Sequence, residues 1–177
     1  MKTLTLLRHA KSSWDDPHQR DFDRVLNDRG RRAAPRVGHY LQAEGVRFDA
    51  VICSPAARTR ETLALVAEGY GAPLEAQFDE RIYMASHDTL LDLLHDLPDS
   101  VQSVLLVGHN PGFEDLALHL VGSGPEKLRS ALAAKFPTGT LAEIGFDVDQ
   151  WSGVKARTGR LLRYVRPRHL DADLDGD

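Results

Sequence analysis

The chain has 177 residues, 42% of them apolar, with 22 Lys and Arg against 26 Asp and Glu and a formal charge of -4 at pH 7. That is material for one buried core and not two, so a single domain over residues 1–168 is expected, followed by an acidic tail over 169–177. The mild acidity argues against a nucleic-acid surface and no Lys/Arg run rises above a solvated face, no apolar run reaches membrane length, and the lone Cys53 excludes an internal disulfide; with no signal-peptide pattern, the expectation is a cytoplasmic protein with no membrane partner.

Taken in chain order, residues 3–7 read as a buried strand that ends by presenting Arg8 and His9. Residues 12–28 are polar, contain Pro17, and are too long for a plain turn, so they form a loop running over the strand's end. Asn27 or Asp28 caps a helix that carries Ala33, Ala34, Val37, Gly38 and Leu41 at helical spacing, with Pro35 in its early turns. A second strand over 48–53 buries Cys53, and Ser54-Pro55 turns it into a helix over 56–70. A third strand is expected over 74–78, then an irregular segment at 79–83 and a Leu-rich helix from Ser86 or His87 that stops before Pro98.

Residues 101–107 form the clearest buried strand, and it ends in Gly108-His109-Asn110-Pro111-Gly112, a parallel to the Arg8-His9 ending. Helices follow over 113–121 and 126–134, and a closing pair of strands over 140–148 and 161–166 flanks Trp151. The tail holds the first half of a calcium-loop pattern but lacks the bidentate acid at its twelfth position, so it is read as an acidic tail and not as a cation site. The regular alternation predicts an α/β sheet layered by helices.

In an open α/β sheet the carboxyl ends of the strands are where ligands bind. Arg8, His9, Arg58 and His109 all fall just after predicted strands, so the topology can bring them together. Two guanidinium forks and two imidazoles select an anion, and the helix starts at 56–58 and 110–112 add backbone N–H donors, so phosphate is the natural guest. A neutral imidazole is a competent nucleophile for a phosphoryl group held in this way, provided one ring nitrogen is free and the other is fixed by a hydrogen bond. His9 fits that role, and Glu80, in the irregular segment, is the best-placed acid to protonate a leaving group. Zinc held by His9 and His109 is the competing chemistry, but neither lies in a metal-ligand spacing, so no metal or cofactor is expected.

The triplet Arg8-His9-Ala10 resembles the Arg-His-Gly signature of the histidine phosphatase superfamily, the family of phosphoglycerate mutase-like folds. With Lys11, Ser12, Ser13 and Trp14 following, it is similar to the SixA-like phosphohistidine phosphatase branch. Residues 26–30, 54–59, 107–112 and 136–139 extend the resemblance in the same order along the chain. The resemblance implies a three-layer α/β/α sandwich with a mixed, mostly parallel sheet of about six strands, one of them antiparallel. It also implies a metal-independent reaction through a phosphohistidine at His9, with Arg8, Arg58 and His109 as the phosphate pocket and Asn110 adding a backbone N–H.

Glu80 resembles the acid-bearing residue of the mutase branch. Three functions stay open on these residues: hydrolysis of phosphohistidine on a protein, hydrolysis of a small phosphomonoester or sugar phosphate, and phosphate or phosphoprotein binding without turnover. The partner is accordingly a phosphorylated protein or a small phosphorylated molecule. Lys11, Arg20, Arg24 and Arg81 are the cations available for its rim.

Overall fold

Strand β1 (Lys2–Arg8) sets the frame because its side chains are sorted by the pleat: Leu4 and Leu6 join one buried cluster and Leu7 joins another on the opposite face. A strand buried on both faces must lie inside a sheet covered on both sides. The computed structural model describes residues 1–171, and among these β1 is central in a seven-stranded sheet of order β3-β2-β4-β1-β6-β7-β5. The other strands are β2 (Ala50–Cys53), β3 (Gln77–Phe78), β4 (Ser103–Gly108), β5 (Val121–Ser123), β6 (Leu141–Phe146) and β7 (Gly159–Val165). Only β6 runs antiparallel to its neighbours β1 and β7; the remaining pairings are parallel.

Helices α1 (Asp28–Ala43) and α2 (Ala57–Tyr70), with the short α6 (Pro167–Leu170), cover one face, burying Val37, Leu41, Leu63 and Val66 against Leu7, Leu105 and Val107. Helices α3 (His87–His95), α4 (Gly112–Leu120) and α5 (Glu126–Ala134) cover the other, where Leu90, Leu94, Phe113 and Leu116 meet Leu4, Leu6 and Ile144. This is the expected three-layer α/β/α sandwich. Its helix starts follow from local chemistry: the Asn27 side chain accepts from Gly30 N at 2.9 Å to open α1, and Ser86 Oγ accepts from Thr89 N to open α3.

The sheet has seven strands where about six were expected. The added strand is β5, whose first residue falls at the end of the helix expected over 113–121; at three residues it carries no readable alternation, and it forms by parallel pairing with β7. The strand expected over 74–78 shrinks to the exposed edge pair Gln77–Phe78. Trp151 lies between β6 and β7 as anticipated, fully buried in a one-turn 3-10 helix, with its Nε1 donating to Val101 O at 2.8 Å. Cys53 is buried in β2, and burial pushes its thiol up to about 12, so it is packing and not chemistry. Residues 169 and 170, expected in the acidic tail, belong to α6, with Leu170 packed against the cluster under α1; residues 172–177 lie outside the described residues.

Candidate active site

Register brings the first four groups together. Arg8 pairs with Gly108 and Cys53 with Val107, so β1, β2 and β4 end level with one another. The residues that follow, His9, Ser54 and His109, therefore emerge side by side at one edge of the sheet. The ladder is extended by His9 N donating to Gly108 O and Ser54 N to Val107 O, both at 3.0 Å. Arg58 arrives from the first turn of α2, with its guanidinium almost wholly buried. From the far side, the turn after α5 closes on β1: Gly139 N donates to the carbonyls of Arg8 and His9, and Phe136 O accepts from Arg8 Nη1 at 2.9 Å and Asn110 Nδ2 at 3.0 Å. The result is a pocket of ≈ 250 Å³ whose lining includes Arg8, His9, Arg58, His109, Asn110 and Thr138.

The two imidazoles are only partly alike. His9 Nδ1 lies 2.7 Å from Ala10 O, and since a carbonyl can only accept, Nδ1 carries the hydrogen and Nε2 is left with its lone pair. Ala10 itself is fixed by its N–H donating to Thr62 Oγ1 at 3.0 Å, and that hydroxyl donates on to Arg58 O. His109 sits with its ring centroid 5.4 Å from that of His9, and its Nε2 pairs with Ser54 Oγ at 2.7 Å. Burial disfavours the charged form of both rings. His9 lies well below its usual 6.5 despite the raising effect of the Ala10 carbonyl, and His109 falls to about 3 through burial and then the Arg58 charge. Both are therefore neutral at physiological pH.

Two buried nitrogens at this edge, His109 Nδ1 and Arg58 Nε, have no hydrogen-bond partner in the fold. An unpaired buried polar atom costs on the order of 1–3 kcal/mol, a cost that an anion with several acceptor oxygens would remove.

The residue that sequence reasoning missed is Asp21, in the one-turn 3-10 helix Asp21–Asp23 of the long loop. Its carbonyl and carboxylate both take Arg58, at 2.7 Å from Nη1 and 3.0 Å from Nη2. The same carboxylate accepts from Tyr83 OH at 2.7 Å and Arg24 Nε at 3.1 Å. Burial opposes its ionisation, but Tyr83, Arg58 and Arg24 outweigh that and hold it at about 2. A polar loop without periodicity gives no sign of such a role; only the apposition to Arg58, 37 residues away, creates it.

Glu80 is not brought to the pocket. β3 is the edge strand, and after it Asp79 caps a one-turn 3-10 helix, Glu80–Ile82, by accepting from Arg81 N; this turn leaves Glu80 exposed. The residue the segment delivers is Tyr83, whose ring stands edge-on to His109 with centroids 5.4 Å apart. Of the four rim cations, Lys11 and Arg24 line the pocket, while Arg20 pairs with Asp23 and Arg81 with Asp79 out on the surface. Among the described residues no cluster of three or more His, Cys, Asp or Glu comes together that could hold a metal ion.

Residues 4–85 match the family model of the histidine phosphatase superfamily (branch 1). An uncharacterised protein of Mycobacterium tuberculosis is 36% identical over 92% of this chain and 100% of its own length. Among solved structures, a candidate phosphohistidine phosphatase SixA from Agrobacterium tumefaciens is 32% identical, covers 94% of this chain and 98% of its own, and superposes with a TM-score of 0.79. Another of the same description, from Nakamurella multipartita, is 29% identical over 94% of this chain and 96% of its own, with a TM-score of 0.80.

Proposed function

Because this chain belongs to the histidine phosphatase superfamily, we propose that it is a phosphatase of the SixA type. It removes phosphate from phosphohistidine on a protein through a covalent intermediate at His9. The observation that carries this reading is the His9 Nδ1 to Ala10 O hydrogen bond at 2.7 Å, which leaves a neutral imidazole with its Nε2 lone pair available beside a cationic pocket. In the first step that lone pair attacks phosphorus, a P–N bond to His9 forms, and the bond to the substrate nitrogen breaks. In the second, water attacks the phosphorylated His9 and orthophosphate leaves. Arg8 and Arg58 offset the charge on the equatorial oxygens, and His109 Nδ1, when Ser54 donates to Nε2, offers one more N–H.

The choice of substrate rests on what the pocket lacks. An alkyl phosphate needs a proton donor for its leaving oxygen. The carboxylate that lines the pocket, Asp21, is held at about 2 and is ionised at neutral pH, and Glu80 stands outside. An imidazole leaving group has far less need of an acid. The positive groups around His9 also make a divalent cation unnecessary for neutralising the phosphoryl charge.

The test is hydrolysis of a phosphohistidine peptide beside p-nitrophenyl phosphate and a sugar phosphate, in excess chelator, for wild type and His9→Ala. Release from the phosphohistidine peptide is expected for wild type alone, with the sugar phosphate the poorest substrate. A preference for the sugar phosphate would favour the small-molecule reading, and phosphate binding without release from any substrate would favour a binding module.

A further inference from the structure

The pocket mouth carries a tryptophan that the chemistry above does not use. Trp14 is 76% exposed, whereas the chain's other tryptophan, Trp151, is fully buried with its indole N–H satisfied. A large aromatic left in water contributes little to the fold, yet this one is held firmly. Ser12 bridges to Leu26, Ser13 N donates to Val25 O at 2.8 Å, and Asn27 N donates to Lys11 O at 3.0 Å, so the chain just before Trp14 is pinned. The Arg24 guanidinium lies 3.6 Å from the ring centroid on one face. That guanidinium is itself fixed by Ser12 Oγ at 2.6 Å, Ser13 O at 3.2 Å and Asp21 Oδ1 at 3.1 Å. One face of the indole therefore rests on a buried cation held by three hydrogen bonds, while the rest of the ring stays open at the rim of the phosphate pocket. Met84, 63% exposed and held at a left-handed φ of 55°, also lines the same pocket and presents an adaptable apolar side chain to its mouth.

From this geometry we infer that Trp14 is the specificity platform of the site: it stacks on the leaving group, and the site takes phosphoryl groups attached directly to a planar aromatic ring, of which the imidazole of phosphohistidine is one. The inference rests on the phosphatase reading for its chemistry but not for its test, because stacking is a binding property. Preorganisation is what makes the platform effective, since a ring already fixed by Arg24 loses little freedom when a second ring covers it.

The test uses two non-hydrolysable phosphonates, phenylphosphonate and methylphosphonate, titrated calorimetrically into wild type, Trp14→Leu and Trp14→Phe. Wild type is expected to bind phenylphosphonate about tenfold more tightly than methylphosphonate, the scale of one aromatic stack. Trp14→Leu loses that preference and Trp14→Phe keeps most of it. Equal binding of both probes by wild type, binding of neither, or a preference that survives in Trp14→Leu overturns the inference. A drop of equal size for both phosphonates in Trp14→Leu also overturns it, because the side chain would then act only by steadying Arg24. If the phenyl preference is present and no phosphorylated substrate turns over, it is the phosphatase reading that fails and the platform that stands.

Discussion

At the scale of single residues the site is built by making charge expensive where a lone pair is wanted and cheap where a phosphoryl group is to sit. His109 shows the linkage. Its folded value of about 3 lies below the usual 6.5, so between those values the unfolded chain binds a proton that the folded chain refuses. The corresponding stability is fully present above pH 6.5 and is lost as pH falls toward 3, and His9, also lowered, acts in the same direction. His109 alone is expected to make the protein about 2 kcal/mol less stable at pH ~5 than at pH ~7, with His9 adding to the loss in the same direction. Urea unfolding across that range checks this, with His109→Gln showing the shallower dependence. Asp21, held at about 2, adds its own loss only at more acidic pH, below the usual carboxylate value of 3.8.

Asp21→Ala withdraws the carboxylate from a buried Arg58 that keeps the backbone carbonyl of residue 21. With the Asp21 side chain 44% exposed, the expected cost is about 1 to 2 kcal/mol in urea unfolding and not the larger penalty of a fully buried pair. Glu80→Gln is expected to change kcat/KM on phosphohistidine by far less than the ~100-fold that a general acid supplies. A loss of that size would return Glu80 to the chemistry.

Elements matter through the positions they impose. Helix α2 carries Arg58 in its first turn and is located by an unusually close crossing with α1. A Cβ on Gly38 would stand 1.9 Å from Val66 O, and one on Gly69 would stand 1.9 Å from Pro35 O. Each glycine thus lets the other helix's backbone approach, and Pro35, which removes one amide from the α1 ladder, lies at that crossing. Gly38→Ala and Gly69→Ala are each expected to cost about 1 to 3 kcal/mol by forcing backbone apart, and the double variant less than the sum, because one displacement relieves both contacts. Chemical denaturation of the three variants measures this.

The elements themselves were largely legible in the sequence: α5 matches its expected bounds, and β1, β4, α1, α2 and α4 lie within a few residues of theirs. Their signals were local, as in the Asn27 cap and the continuous apolar runs of β1 and β4. β5 was not legible because Val121-Gly122-Ser123 is too short to carry a period and its glycine reads as the start of a connection. The crossing of α1 and α2 was not legible either, since Gly38 fits helical spacing whether or not a neighbour touches it.

Over the whole molecule, a chain of net charge -4 concentrates arginine and neutral histidine at one sheet edge, so its acidity and its anion site coexist without conflict. The convergence of Arg8, His9, Arg58 and His109 could be read from the sequence because each follows a strand and strand ends share an edge. What could not be read is every contact made across the long loop. Asp21 on Arg58, Arg24 under Trp14 and Tyr83 on Asp21 arise from tertiary apposition, and the one-turn helix that turns Glu80 outward after an edge strand leaves no trace in hydrophobic pattern.

The covalent role of His9 is the claim on which the rest depends. It is tested most directly by mixing enzyme with a phosphohistidine peptide, quenching within one turnover in alkali to preserve phosphoramidates, and measuring intact mass and the modified peptide. One added phosphoryl group is expected on His9 in wild type and none in His9→Asn. Phosphate release by His9→Asn at the wild-type rate, or the phosphoryl group found on another residue, would contradict it.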